Sequence, residues 1–268
     1  MLTNLIYGMP SWAMMAWVVG VTVILSLLGL AAASRLIHPE MRRRHNEFVG
    51  FNSALVGVFF AVLLAFIAVA AWESFGKAGE IAATEASLAG DLFRDAYAMP
   101  EPLKSKLTGE MRDYVQIVLV KEWPAMARGE DFGDEGWKPL MDFHSTLVSA
   151  PPGDAVATAV LSEALTRLNS LYDARRERLL AATDHIEGTV WWVVLIGSAI
   201  TIGFTFLFGM EDLRMHMAMT GAVAASLALV IVLILSFDYP FRGQVQIHPD
   251  GFEHVKHNME SVGMRFLE

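Results

Sequence analysis

Apolar positions fall into four long runs along the chain, separated by charged stretches. The clearest is Val49–Phe75, VGFNSALVGVFFAVLLAFIAVAAWESF, which carries no charge between Gly50 and Trp72. About 20 apolar residues rising ~1.5 Å each cover the ~30 Å hydrocarbon core of a bilayer. In lipid a single segment satisfies its own backbone hydrogen bonds only as a helix, so this run predicts a membrane span. Two periodicities are superposed on it. Ser53, Gly57, Ala61 and Ala65 recur every fourth residue and form a groove where a second helix can approach closely. Asn52, Val56, Phe59, Leu63, Phe66, Ala70 and Glu73 alternate by four and three, a stripe that is apolar inside and polar at both tips. Such a stripe suits a pore liner, and an ordinary buried membrane helix has the same form.

The other spans are predicted at about Ser11–Ala33, anchored by Trp12 and Trp17, at Val190–Phe208, entered by Trp191 and Trp192, and at Met215–Phe237. The tight turn Gly209–Arg214 makes the last two antiparallel neighbours. The second span is expected to continue as a helix to Tyr97, where Met99-Pro100-Glu101-Pro102 stops it. A helix over Leu103–Trp123 follows, with Glu122-Trp123-Pro124 read as its stop, then an acidic, glycine-marked loop over 129–136. Trp137–Val148 reads as a short helix, and Asp154 as the N-cap of a long one reaching about Leu180, with Leu161, Leu165, Leu168, Leu171 and Tyr172 in its buried stripe. In the tail, Gln244–His248 alternates like a short strand and Phe252–Phe266 reads as an amphipathic helix. The pattern therefore predicts an all-α integral membrane protein with four transmembrane helices, two plus two. Helices 1 and 2 occupy 1–75, a helical soluble domain 76–188, helices 3 and 4 189–237, and a soluble tail 238–268.

Composition supports the membrane class: 54% of the 268 residues are hydrophobic, only 18% are charged, and the mean hydropathy is +0.42. The absence of cysteine excludes disulfides, zinc–thiolate sites and thiol nucleophiles. A net charge of −9 argues against a nucleic-acid partner. The first charged side chain is Arg35, so the first run lacks the basic region of a cleaved leader and is expected to be a retained span. Arg35, Arg42, Arg43 and Arg44 in the first connection, with Arg214 in the last hairpin, face Lys77, Arg175, Arg176, Arg178 and Arg242 on the other side. Those totals tie. The density of arginine in short loops then places the first set in the cytoplasm and the helical domain outside.

Candidate chemistry is sparse. His254 and His257 lie near Glu253 and Glu260, but no third ligand converges, and a solvated helix face is the expected reading, with no metal or cofactor. His144, His185 and His216 stand alone. With no glycine-rich phosphate loop, nucleophile elbow or HExxH, no catalytic residues are assigned and no enzyme is expected. Boundary carboxylates carry more information: Glu73, Glu80, Asp238 and the pair Glu211–Asp212. Each can simply mark where lipid ends. If copies of the central span surround an axis, Glu73 becomes an acidic ring favouring cations. Phe59, Leu63 and Phe66 become constrictions that gate by dewetting, and Asn52 a polar ring at the other mouth. The lack of charge inside the membrane argues against a proton relay.

The strings NSALVGVFFAVLLAFIAVAAWE (52–73), Glu85-Ala86, DYVQIVLVKEWPAM (113–126) and FDYPFRGQVQIHPDGFE (237–253) resemble those of bacterial bestrophin-like domain proteins. The resemblance covers nearly the whole chain and is most specific at Glu122-Trp123-Pro124 and at 238–241. It implies an oligomeric ion channel of the bacterial inner membrane whose second span lines the pore. True bestrophins are pentamers with a hydrophobic neck; they conduct anions and keep their helical domain in the cytosol. Two features depart from them: their basic-aromatic hallmarks are not evident here, and the boundary carboxylates point to cations. The expected protein is a homo-oligomeric, cation-conducting channel whose partners are further copies of itself, the lipid bilayer and inorganic ions. The alternative is a membrane-anchored sensor or scaffold whose helical domain binds a partner, motivated by the acidic loop 130–135.

Overall fold

Apolar sequence without internal punctuation becomes long helix. The computed structural model describes residues 7–151 and 155–264. In chain order it contains α1 (Ser11–Leu36), α2 (Pro39–Arg44), α3 (Asn46–Tyr97), α4 (Leu103–Ile117) and a π-helical turn (Val118–Glu122). It continues with α5 (Trp123–Arg128), α6 (Trp137–Val148), α7 (Ala155–Thr183), α8 (Gly188–Phe206), α9 (Leu213–Asp238) and α10 (Asp250–Met264). The 52 residues of α3 include no proline, and the pair at 100 and 102 follows its last turn. Four helices, α1, α3, α8 and α9, are long and apolar enough to cross a membrane, and the protein is an all-α membrane protein.

The chain divides into two compact units. The first takes α1, α2, α3 as far as Phe75, α8 and α9. Its core is built by Phe60, Leu64 and Ala71 of α3, Val194 of α8, and Ile231, Ile234 and Phe237 of α9. Trp72 and Phe75 close one end of it, edge-on to the Phe237 ring at 5.1 and 5.2 Å. The second unit takes α3 from Gly76, α4 to α7, and α10. Leu92 and Phe93 meet Leu107, Met111 and Val115 of α4, Phe143 and Leu147 of α6, Leu168 and Leu171 of α7, and Phe252 of α10.

Two sequence expectations are corrected. Glu122-Trp123-Pro124 does not stop a helix: the path continues through the π-helical turn into α5, with Pro124 in the first turn of α5. Pro124 has no N–H to return to the preceding turn, and the one widened turn before it absorbs the misfit. Residues 244–248 form no strand, and none occurs among the described residues. Alternation needs a partner strand, and here the segment folds back, with Ile247 N–H donating to the Pro240 carbonyl at 2.8 Å. Trp123 Nε1 donates to the Ile247 carbonyl at 3.2 Å, and the Ile247 side chain packs on the core of the second unit. Asp154, the expected N-cap, lies outside the described residues, as do 265 and 266 of the expected tail helix.

Candidate pore helix and a buried charge centre

The stripe on α3 occupies the side of the helix that its own unit leaves open. Phe59, Leu63, Phe66, Ala70 and Glu73 are exposed in the single chain, whereas Asn52 and Val56 are half-buried. Phe59 and Phe66, at 70% and 71% exposure, are large apolar rings with nothing of this chain over them. The buried residues Phe60, Leu64 and Ala71 mark the opposite, core-facing side. From Asn52 to Glu73 the stripe rises roughly 30 Å, the thickness of the hydrocarbon layer. Asn52 Nδ2 donates to the Phe48 carbonyl at 2.9 Å, within its own helix. The small-residue groove is also open: a Cβ placed on Gly57 would meet nothing within 4 Å.

Glu80 is exposed, whereas three of the other boundary carboxylates have specific local tasks. Asp238 is buried and accepts the Ile186 N–H at 2.7 Å, tying the end of α9 to the entry of α8. Asp212 accepts the Arg214 N–H at 2.8 Å and so caps α9, while Glu211 pairs with Arg43 at 3.1 Å. His216 is buried, its Nε2 2.7 Å from the Thr205 carbonyl oxygen. His144, His185, His254 and His257 are exposed. Among the described residues no three His, Asp or Glu side chains group as a metal site.

Sequence reasoning missed the centre of the second unit. Glu85 of α3, Glu122 of the π-helical turn, and Arg175 and Arg178 of α7 are all buried and bond to one another, with Arg175 Nε the one guanidinium nitrogen of the group left without a partner among the described residues. Arg178 donates through Nε and, at 3.0 Å, Nη2 to the Glu85 carboxylate, and through Nη2 to Glu122 Oε2 at 2.7 Å. Arg175 donates to both oxygens of Glu122, with Nη1 2.8 Å from Oε2. The Tyr114 hydroxyl donates to Glu85 Oε1. Aromatic rings supply the remaining walls: Trp137 lies 4.6 Å from the Arg175 guanidinium and Trp123 5.6 Å from that of Arg178. Gly136 approaches so closely that a Cβ there would sit 2.3 Å from Glu122 Oε1. No side chain fits at that position without moving the charges.

Two positive and two negative charges cancel in this centre, and the titration behaviour follows. Burial alone would raise the Glu122 carboxyl, but bonding to Arg175 and Arg178 outweighs it and holds the group below the usual carboxylate range. Burial alone would likewise lower Arg178, yet the Glu85 charge and hydrogen bonds raise it, so it stays a cation. Burial, reinforced by the Glu85 charge, drives Tyr114 well above its ordinary value and keeps it a neutral donor. The centre fixes α3, α4, the π-helical turn and α7 in one register. A signal for it did exist: Arg175 and Arg178 continue the four-and-three spacing of Leu161, Leu165, Leu168 and Leu171, which aims them at the core.

Comparison with known proteins places this architecture. No curated protein matches the chain. A crystal structure of a bacterial bestrophin homologue from Klebsiella pneumoniae, phased on zinc, aligns with a TM-score of 0.64 at 14% identity, covering 89% of this chain and 96% of that one. A point variant of a bacterial bestrophin homologue from the same organism gives 0.64 at 13%, covering 90% and 97%. A variant described only as a membrane protein gives 0.64 at 13%, covering 91% and 97%. At such identities these likenesses establish the fold. The model of the Bestrophin-like domain matches residues 20–252, a stretch that holds both the α3 stripe and the charge centre. The chain belongs to the Bestrophin-like domain family.

Proposed function

We propose that the protein is a homo-oligomeric ion channel in which copies of α3 surround a common axis and Asn52, Val56, Phe59, Leu63, Phe66, Ala70 and Glu73 face the passage. Membership of a bestrophin-like family supports an ion channel. The observation that carries the finer reading is the stripe itself: it is left open by its own unit, is as long as the bilayer core is thick, and ends in an exposed carboxylate. Repeated about an axis, Phe59, Leu63 and Phe66 form successive apolar constrictions and Glu73 an acidic ring. The ring makes cations the favoured ions, and five copies is the stoichiometry that the bestrophin resemblance implies. The bacterial inner membrane is its expected location.

The test is electrical. Purified protein in planar bilayers is expected to give unitary currents whose reversal potential in a salt gradient lies on the cation side. Glu73→Gln is expected to move that potential toward zero while currents persist. An unchanged reversal potential removes Glu73 from the pore; an absence of currents across voltage, pH and calcium removes the channel itself.

A further inference from the structure

Two connecting segments of the first unit meet at one end of its apolar helices: the α1–α3 connection, which holds α2, and the hairpin between α8 and α9. Asn46 ties them in both directions, its Nδ2 donating to the Gly209 carbonyl at 3.0 Å and its Oδ1 accepting the Gly209 N–H at 2.8 Å. Gly209 lies against backbone, since a Cβ there would be 2.5 Å from Arg43 N, so only glycine fits. Arg42 Nη1 donates to the Phe206 carbonyl at 3.4 Å, at the C-terminus of α8 where the helix dipole favours a cation. Arg43 is paired with Glu211.

Arg42 and Arg43 are thus accounted for by the fold, but Arg35 and Arg44 are not. Both are exposed, and among the described residues neither side chain makes a hydrogen bond or an ion pair. Leu36 at the end of α1 is 84% exposed, Met41 58% and Phe48 in the first turn of α3 73%, so apolar surface lies open around the same connection. The four arginines of this segment outnumber Glu40 and Glu47. Unpaired guanidiniums interleaved with open apolar side chains, where two membrane helices end, match a phospholipid, whose phosphate and acyl chain meet at that level.

We propose that this rim binds the headgroup phosphate of an anionic phospholipid, with Arg35 and Arg44 as the donors and Leu36, Met41 and Phe48 against its acyl chain. The site does not depend on what the pore conducts, and its failure would leave the channel reading untouched. The test titrates full-length protein in detergent with phosphatidylglycerol, with phosphatidylcholine, and with phosphatidylglycerol in the presence of millimolar inorganic phosphate. Phosphatidylglycerol is expected to bind in preference, and R35Q/R44Q to weaken it roughly thirtyfold, at about 1 kcal/mol for each arginine near an anionic surface. R35K/R44K is expected to retain most of the binding, which separates lost charge from lost folding should the glutamine variant elute abnormally. Equal binding of the two lipids, unchanged binding by a well-folded R35Q/R44Q, or loss of binding by the lysine variant would overturn the assignment. Full competition by free phosphate would also overturn it, making the rim a simple anion site.

Discussion

Arg178 bonds two carboxylates at once, from helix positions 93 and 56 residues away in sequence. Buried ion pairs are poor sources of net stability, because desolvation offsets most of the attraction, but removing one partner strands the others. Arg178→Met leaves Glu85 and Glu122 buried with Arg175 as the sole guanidinium. It is expected to destabilise the protein by about 3–5 kcal/mol, read as a fall in thermal midpoint of the detergent-solubilised protein. Glu85→Gln removes one charge yet keeps a hydrogen-bonding side chain at the site, and should cost less. If Arg178→Met melts like the parent, the four charges do not act as a unit. Glu122 illustrates what single residues conceal: beside Trp123 and Pro124 it reads as helix punctuation, and only its partners reveal a core charge.

Among the elements, α3 joins both units in one uninterrupted helix, and its length, its end at Tyr97 and its two stripes are all visible in local periodicity. The connecting elements are less transparent. The tie between five basic residues on each side is broken by the fold, because Arg175 and Arg178 are buried and cannot contact lipid headgroups. Lys77, Arg176 and Arg242 remain against Arg35, Arg42, Arg43, Arg44 and Arg214. By the positive-inside rule the arginine connection is expected in the cytoplasm, whereas the resemblance to true bestrophins implies the opposite orientation. The chain has no native cysteine, so single-site labelling decides it. With a membrane-impermeant thiol reagent on intact right-side-out spheroplasts, Asp131→Cys is expected to react and Arg44→Cys to react only after permeabilisation. The reverse pattern would put the helical unit in the cytosol.

At the scale of the whole molecule, the exposed face of α3 offers a long apolar surface to a second copy or to lipid. The protein mass of the particle in mild detergent separates these, and about five times 29.5 kDa is the expected value. A particle with the mass of one chain would leave an anchored helical domain and no pore. Hydrophobic periodicity is a local property, so the sequence by itself determined the four apolar helices, the helical character of the 76–188 segment and the composition of each face of α3. What covers those faces is not local. The burial of Glu85, Glu122, Arg175 and Arg178, the path through Pro124 and the folding back of 244–248 were decided only by tertiary structure. A charge can leave water only when its counter-charges arrive from distant turns of the chain, and no spacing along one helix records that meeting.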